Sequence, residues 1–126
     1  MGQHIIDTYV IHVTTTGSAG SASGSGNTTS PVNGLLLGVY LDYNGSAPAT
    51  TDLTVTLSNP GRTILTMTNT VTDAWVPLRE QAKDNTGAAI AGIYELVPID
   101  DVVTVSLAQC DALTDAVVAY LKVLKE

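Results

Sequence analysis

"GLLLGVYLDY", residues 34–43, decides the fold class. Read with a period of two, it puts Leu35, Leu37, Val39 and Leu41 on one side and Leu36, Gly38 and Tyr40 on the other. Apolar side chains on both faces are the mark of a strand buried inside a sheet. Gly38 interrupts the run, and a glycine inside a strand marks a bulge or the close approach of another part of the chain.

The same alternation extends outward in both directions. "NGSAPATTD" (44–52) is a loop by composition, with Asn44-Gly45 suited to the positive φ angles of a tight turn. "DLTVTLS" alternates Leu53, Val55 and Leu57 with Thr54 and Thr56, "NPGR" (59–62) turns the chain, and "TILTMTNTV" resumes the extended pattern as a hairpin. Upstream, Ile5, Tyr9, Ile11 and Val13 share one face of a strand over about 4–14, with His4, Thr8, His12 and Thr14 on the other. Near the end of the chain, "DVVTVSLA" and "AVVAYLKVLK" read as two more strands joined by "QCDALTD". Residues 73–98 are less regular: a short strand around Trp75, a polar turn at Asp84 to Gly87 and a strand over 92–97, with a brief helix at 78–83 as the alternative for that segment. No long stretch carries helical periodicity. The expectation is an all-β, single-domain antiparallel β-sandwich or jelly-roll-like barrel of six to eight strands.

One stretch breaks the pattern. "TTTGSAGSASGSGNTTSPVNG" (14–34) joins the first strand to the second with far more chain than the two to five residues of a hairpin loop. The chain divides accordingly into a strand or arm (1–14), a Gly/Ser/Thr-rich flexible loop (15–33) and a sandwich body (34–126). A flexible link of about 18 residues spans roughly 20–25 Å. It is either an excursion beside its own hairpin or a tether that lets strand 1 add to the sheet of another subunit.

Composition bounds the partners. The 126 residues suffice for one domain with a real core, 44% being hydrophobic, but only 13% are charged. Thr, Ser and Asn supply roughly a quarter of the chain, there is no Phe, and packing falls to Val, Leu, Ile and Ala. Five basic residues against twelve acidic ones give a formal charge of −7. Arg62, Arg79, Lys83, Lys122 and Lys125 are too few and too scattered for a phosphate backbone, and the acidity disfavours an anionic membrane. The N-terminus lacks a basic flank and its apolar residues are broken by Asp7 and His12, so no secretory signal is read there. No run reaches the ~18 apolar residues of a membrane span. A soluble protein made in a cytoplasm is expected.

Chemistry is sparse. Cys110 is alone and reads as a small, partly buried residue; no intrachain disulfide is possible. His4 and His12, the only histidines, read as surface residues outside any nucleophile–base motif. The Gly-rich stretch has neither phosphate-loop spacing nor a following helix. Asp100-Asp101 and Asp111/Asp115 flank the penultimate strand and would gather for calcium only if their loops converged; they read as ordinary turn acids. Asn27-Thr28-Thr29 and Asn44-Gly45-Ser46 match the glycosylation pattern without an export signal. Catalytic, cofactor and metal residues are therefore all assigned as none. Trp75, the one Trp, reads as a core plug or as an interface anchor.

Taken together, the opening strand, "TGSAGSASGSGNTTSPVNG", "LLLGVYLDYNGSAPATTDLTV", "NPGRTILTMTN" and "NTGAAIAGIYELVPIDDVVTVSLAQCDALTDAVVAYL" resemble small virion-associated proteins of tailed bacteriophages. The resemblance covers nearly all the chain through soft patterns and transfers no functional residue. It implies a non-enzymatic structural role, a capsid decoration (cement) protein on the capsid exterior. The partner implied is the major capsid protein, with a homo-oligomer, a trimer, as the expected state and neither nucleic acid nor membrane bound. The alternative is a receptor- or carbohydrate-binding β-sandwich module of a head fibre or tail spike, which would need an exposed aromatic cluster or a pocket. Interface candidates are Ile5, Tyr9, Ile11, Val13 and Trp75. On this reading, removal of residues 1–14 abolishes assembly while leaving the body folded.

Overall fold

A computed structural model describes residues 5–58 and 61–125; His4 and the Asn59-Pro60 part of the expected 59–62 turn lie outside the described residues. The described residues form eleven strands: β1 (Ile5–Val13), β2 (Ala22–Asn27), β3 (Val32–Tyr43), β4 (Asp52–Leu57), β5 (Thr63–Met67), β6 (Ala74–Pro77), β7 (Glu80–Lys83), β8 (Ala89–Glu95), β9 (Val97–Asp101), β10 (Val103–Cys110) and β11 (Val117–Lys125). All of the sheet pairings are antiparallel.

Two sheets face each other. One has the order β1-β11-β3, with the far edge of β3 shared by β6 along Gly38–Leu41 and by β9 along Val32–Leu36. The other has the order β2-β10-β4-β5. A separate two-stranded ribbon, β7-β8, lies between β6 and β9 in the chain. The architecture is a β-sandwich with open edges, not a closed barrel. The last two strands, β10 and β11, each occupy an interior place in their sheet.

Alternation places the core. Ile11, Val13, Val39, Leu41, Val117, Ala119, Leu121 and Val123 point inward from the larger sheet. Leu53, Val55, Leu57, Val103, Val105 and Leu107 meet them from the smaller one. All are at most 2% exposed, so aliphatic side chains close the interior without any Phe. Cys110 is buried among them completely, where the sequence suggested partial burial.

The eleven strands exceed the six to eight expected because three segments without a clear hydrophobic alternation are extended. The first is the Gly/Ser stretch. Instead of one flexible loop, it turns at 17–21 and returns as β2, which pairs with β10. Ala22, Gly24 and Gly26 alternate with Ser23, Ser25 and Asn27, and the small set faces β1. A Cβ at Gly24 would collide with the Thr14 carbonyl oxygen, and one at Gly26 with that of His12. These glycines let two backbones touch where the chain passes from one sheet to the other. The corner is tied by Thr16 and Ser23, which exchange backbone bonds of 2.9 and 3.0 Å, and by the buried Thr15. The Thr15 hydroxyl donates to the Asp111 carbonyl at 2.5 Å and accepts from the Leu113 amide at 3.0 Å.

The second and third segments are 78–83, where β7 replaces the alternative of a brief helix, and 89–101, which divides into β8 and β9. The turn expected at Asp84 to Gly87 is present, closed by Gly87 N–H donating to the Asp84 carbonyl at 3.1 Å.

β1 is a member of the body's own sheet. It pairs with β11 over its whole length, from Ile5 opposite Lys125 to Val13 opposite Val117. Ile11 and Val13 are core residues, so removing residues 1–14 would open the interior rather than leave a folded body.

Candidate functional site

The pleat that buries Ile11 and Val13 turns the even positions of β1 outward, and the pairing register then decides what gathers on the outer face of the larger sheet. Val10 lies opposite Tyr120, Tyr120 opposite Tyr40, and Tyr40 opposite Trp75. One row across four strands thus carries a valine and three aromatic rings. At ~4.8 Å per strand it is about 15 Å wide. Tyr40 and Tyr120 stack with centroids 6.3 Å apart and planes inclined by 30°. A second row, four to five residues along the strands, aligns Ile6, Leu124, Leu35 and Pro98. Between the two rows Lys122 donates to the Thr8 hydroxyl at 2.7 Å, which keeps the ammonium tied down within the face.

Gly38 makes the face flat. Its absent side chain leaves room for the Trp75 indole, which crosses diagonally from β6; a Cβ there would stand 2.6 Å from two ring carbons and 2.7 Å from the Val76 carbonyl oxygen. The ring rests on the backbone and shows its other face to solvent, leaving Trp75 47% exposed. Of the two readings of Trp75, core plug and interface anchor, its exposure excludes the first. Beside Gly38, β3 also bulges: Lys122 pairs with Gly38 but Val123 pairs with Leu36, leaving Leu37 as the extra residue. The bulge reverses the alternation, so Leu36 is buried while Leu35 joins the outer face, opposite to the assignment from strict period two. Both alternatives expected of Gly38, bulge and close approach, are realised at one place.

The five interface candidates separate. Ile11 and Val13 lie in the core and are unavailable to any partner. Tyr9 packs partly against the core, beneath the Lys125 ammonium, which bonds its hydroxyl and lies 3.4 Å from Asp7. Only Ile5 and Trp75 remain exposed, and of these Trp75 belongs to the aromatic row. Tyr40, Tyr120, Val10, Ile6 and Leu35 were missed as site residues. They come from three separate segments, and only the register unites them.

The ionisable groups lie elsewhere. His12 Nδ1 stands 3.1 Å from Asp115 Oδ1 at the end of β1, an exposed pair of the kind that contributes little to stability. Asp111 accepts from the Gly20 amide at 2.9 Å. Asp100 and Asp101 sit in β9 at the opposite end of β10 from Asp111 and Asp115, so the two acidic pairs do not converge. The Ser58 hydroxyl donates to Asp101 at 2.9 Å. Asn44 of the second glycosylation-like triplet accepts from the Ser46 amide at 2.9 Å within its own turn. Among the described residues no cluster of three His, Cys, Asp or Glu side chains could hold a metal ion, and no helix is long and apolar enough to cross a membrane. Tyr43 lies under the sheet with its hydroxyl buried and no hydrogen-bond partner among the described residues; burial and the nearby Asp73 carboxylate push its pKa up to about 12.

No protein-family model matches the chain, and no curated protein does. Among solved structures it is similar to the enzymatically active domain of tailspike protein 4 of bacteriophage CBA120, with 9% identity and a TM-score of 0.38 over 97% of this chain. It spans 19% of that protein's chain, and a likeness of this size carries no argument about what either does.

Proposed function

We propose that this chain is a non-enzymatic structural protein of a tailed-bacteriophage virion, a capsid decoration protein that attaches to the major capsid shell through the outer face of its larger sheet. The observation that supports this reading is the row Val10–Tyr120–Tyr40–Trp75, backed by Gly38, in which the other described residues leave Val10, Tyr40 and Trp75 exposed. Aromatic side chains of this kind supply most of the energy at protein contacts, because they bury large area with few rotatable bonds. A shell presents the same target many times, so a modest contact per copy is multiplied by repetition. Synthesis in the host cytoplasm followed by docking on the outside of the capsid fits a chain with a formal charge of −7, which has little attraction to the packaged nucleic acid.

One observation favours a second reading. Three aromatic rings on one flat row also suit the apolar faces of sugar rings, and the exposed aromatic cluster that a carbohydrate- or receptor-binding module would need is present. A single experiment separates the two. The purified protein is sedimented with undecorated shells of its phage and, in parallel, tested against host surface glycans. The shell reading expects saturable sedimentation that Trp75→Ala and Tyr40→Ala each weaken about tenfold or more, the effect of losing ~1.4 kcal/mol at a contact hot spot. Both positions are surface ones, so far-UV circular dichroism should stay unchanged. Binding to glycan without binding to shell would transfer the function to the second reading; shell binding indifferent to both substitutions would remove the outer face from it.

A further inference from the structure

The chain holds two Asn-Gly pairs, Asn33-Gly34 and Asn44-Gly45, and the fold treats them differently. Asparagine is a thermolabile residue, most of all before glycine, where no side chain stands beside the peptide nitrogen that attacks its amide. Which of the two pairs reacts is then a matter of geometry.

Asn33-Gly34 lies inside a sheet. Asn33 is opposite Asp100 and Gly34 opposite Ile99 in the β3–β9 ladder. From the other side β11 closes in, with the Leu124 carbonyl oxygen 2.5 Å from the place that a Cβ on Gly34 would take. Cyclisation here would turn a peptide of the ladder into an imide and drag β3 off both neighbours.

Asn44-Gly45 lies just past the end of β3, in a turn closed by the Ala47 amide, which donates to the Asn44 carbonyl oxygen at 3.0 Å. Gly45 is exposed, and nothing stands within 4 Å of the place its Cβ would take. Its N–H has no hydrogen-bond partner among the described residues. The Asn44 side chain is folded over this peptide. Its Oδ1 accepts from the Ser46 amide at 2.9 Å, closing a ring that contains the Gly45 nitrogen, and its Nδ2 donates to the Thr114 carbonyl oxygen at 3.2 Å. The Ser46 N–H polarises the carbonyl under attack and stands where a donor stabilises its oxygen as that becomes negative.

We propose that Asn44 is a self-modification site, cyclising with Gly45 and opening to aspartate and isoaspartate, while the sheet keeps Asn33 intact. The Gly45 nitrogen, its proton lost to hydroxide, forms a bond to Asn44 Cγ. The Cγ–Nδ2 bond breaks, and Nδ2 takes a proton from water and leaves as ammonia. Water then adds to one of the two carbonyls of the succinimide ring and opens it. One water is consumed for each ammonia released, and nothing is oxidised or reduced. Either product adds a negative charge to the turn and ends the bond to Thr114. The inference stands apart from shell attachment, since it uses neither Trp75 nor the outer sheet face.

The test is to hold the full-length protein at mildly alkaline pH and follow both pairs by peptide mapping with mass spectrometry, which reads the succinimide and the two acid products. In the folded protein Asn44 should convert at least about tenfold faster than Asn33, as one pair is aligned and the other held apart. In concentrated urea the two should convert at similar rates, which assigns the difference to the fold. Gly45→Ala, for which the turn has room, should slow the loss of Asn44 by about tenfold or more by crowding the attacking nitrogen, with far-UV circular dichroism unchanged. A folded protein whose Asn44 stays intact while the same residue converts in urea would overturn the inference, as would an Asn33 that converts as fast as Asn44 in the folded state.

Discussion

Gly38→Ala tests the geometry on which the docking face rests. The added methyl carbon would stand 2.6 Å from Cη2 and Cζ2 of Trp75 and 2.7 Å from the Val76 carbonyl oxygen. All three are well inside van der Waals contact. The indole can swing away from the sheet, but the carbonyl belongs to the β3–β6 ladder and moves only with its strand. Overpacking of this kind costs about 1–3 kcal/mol. A middle value of ~2 kcal/mol corresponds to a fall in Tm of roughly 8 °C for a domain of this size. Trp75 is the only Trp, so intrinsic fluorescence reads this one ring. Lifted off Gly38, the indole gains water on its second face, and emission should shift to the red with stronger acrylamide quenching. In a Trp75→Ala background the ring clash is gone and only the Val76 carbonyl remains. There the cost of Gly38→Ala should shrink by at least ~0.5 kcal/mol, a coupling that thermal unfolding followed by circular dichroism can resolve. An unshifted emission spectrum together with a Tm within about 2 °C of wild type would refute the flat-ring account.

Two further outcomes follow from buried contacts. Gly24→Ala and Gly26→Ala drive a methyl group into the carbonyl oxygens of Thr14 and His12 and should each cost about 2 kcal/mol or more, whereas Gly45→Ala, with nothing within 4 Å, should be nearly neutral; urea unfolding compares them. Tyr43→Phe removes a buried hydroxyl without a hydrogen-bond partner and should leave stability unchanged or raise it by up to ~1 kcal/mol. The same substitution fixes an alkaline effect. Because the folded-state pKa of Tyr43 lies above its ordinary value of 10.0, the unfolded chain releases this proton first, and stability declines as pH rises from about 10 to about 12. Unfolding midpoints measured across that range should show this component in the wild type and not in the variant.

The sandwich was legible wherever hydrophobic alternation carries it. Leu53, Val55 and Leu57, or Val103, Val105 and Leu107, announce their inward face by side-chain type alone, and the structure buries each of them. β2 alternates just as strictly, but its inward residues are Ala22, Gly24 and Gly26, whose signal is lack of bulk. Hydropathy is blind to that, and the Gly/Ser composition favours a loop reading. The interleaving of small with polar residues was the available clue. At β3 the sequence pointed to Gly38 as a special position. The reversed placement of Leu35 and Leu36 depends on how β11 pairs across the bulge, which is a long-range matter.

The docking face was hidden for a related reason. Val10, Tyr40, Trp75 and Tyr120 come from four strands spread over more than 100 residues, and nothing local to any of them reports the others. Trp75 in particular sits in a strand of four residues, too short for its pattern to say which side is buried. β8 was read only in part, as a strand over 92–97 that runs across its boundary with β9, and its exposure on both faces is what the sequence could not convey.

The order of strands carries a consequence for biosynthesis. Because β10 and β11 sit between earlier strands in both sheets, β1, β2, β3 and β4 emerge from the ribosome before the neighbours they bracket exist. The strands that flank β10 wait, unpaired along that edge, until residue 110 has been made, and those that flank β11 until residue 125. At ~5–20 residues per second the wait between β1 and β11 lasts roughly 6–24 s, during which only pairings such as β4–β5 and β7–β8 can close locally. The nascent chain is therefore at its most vulnerable to proteases and to other copies of itself until β10 and β11 have been made.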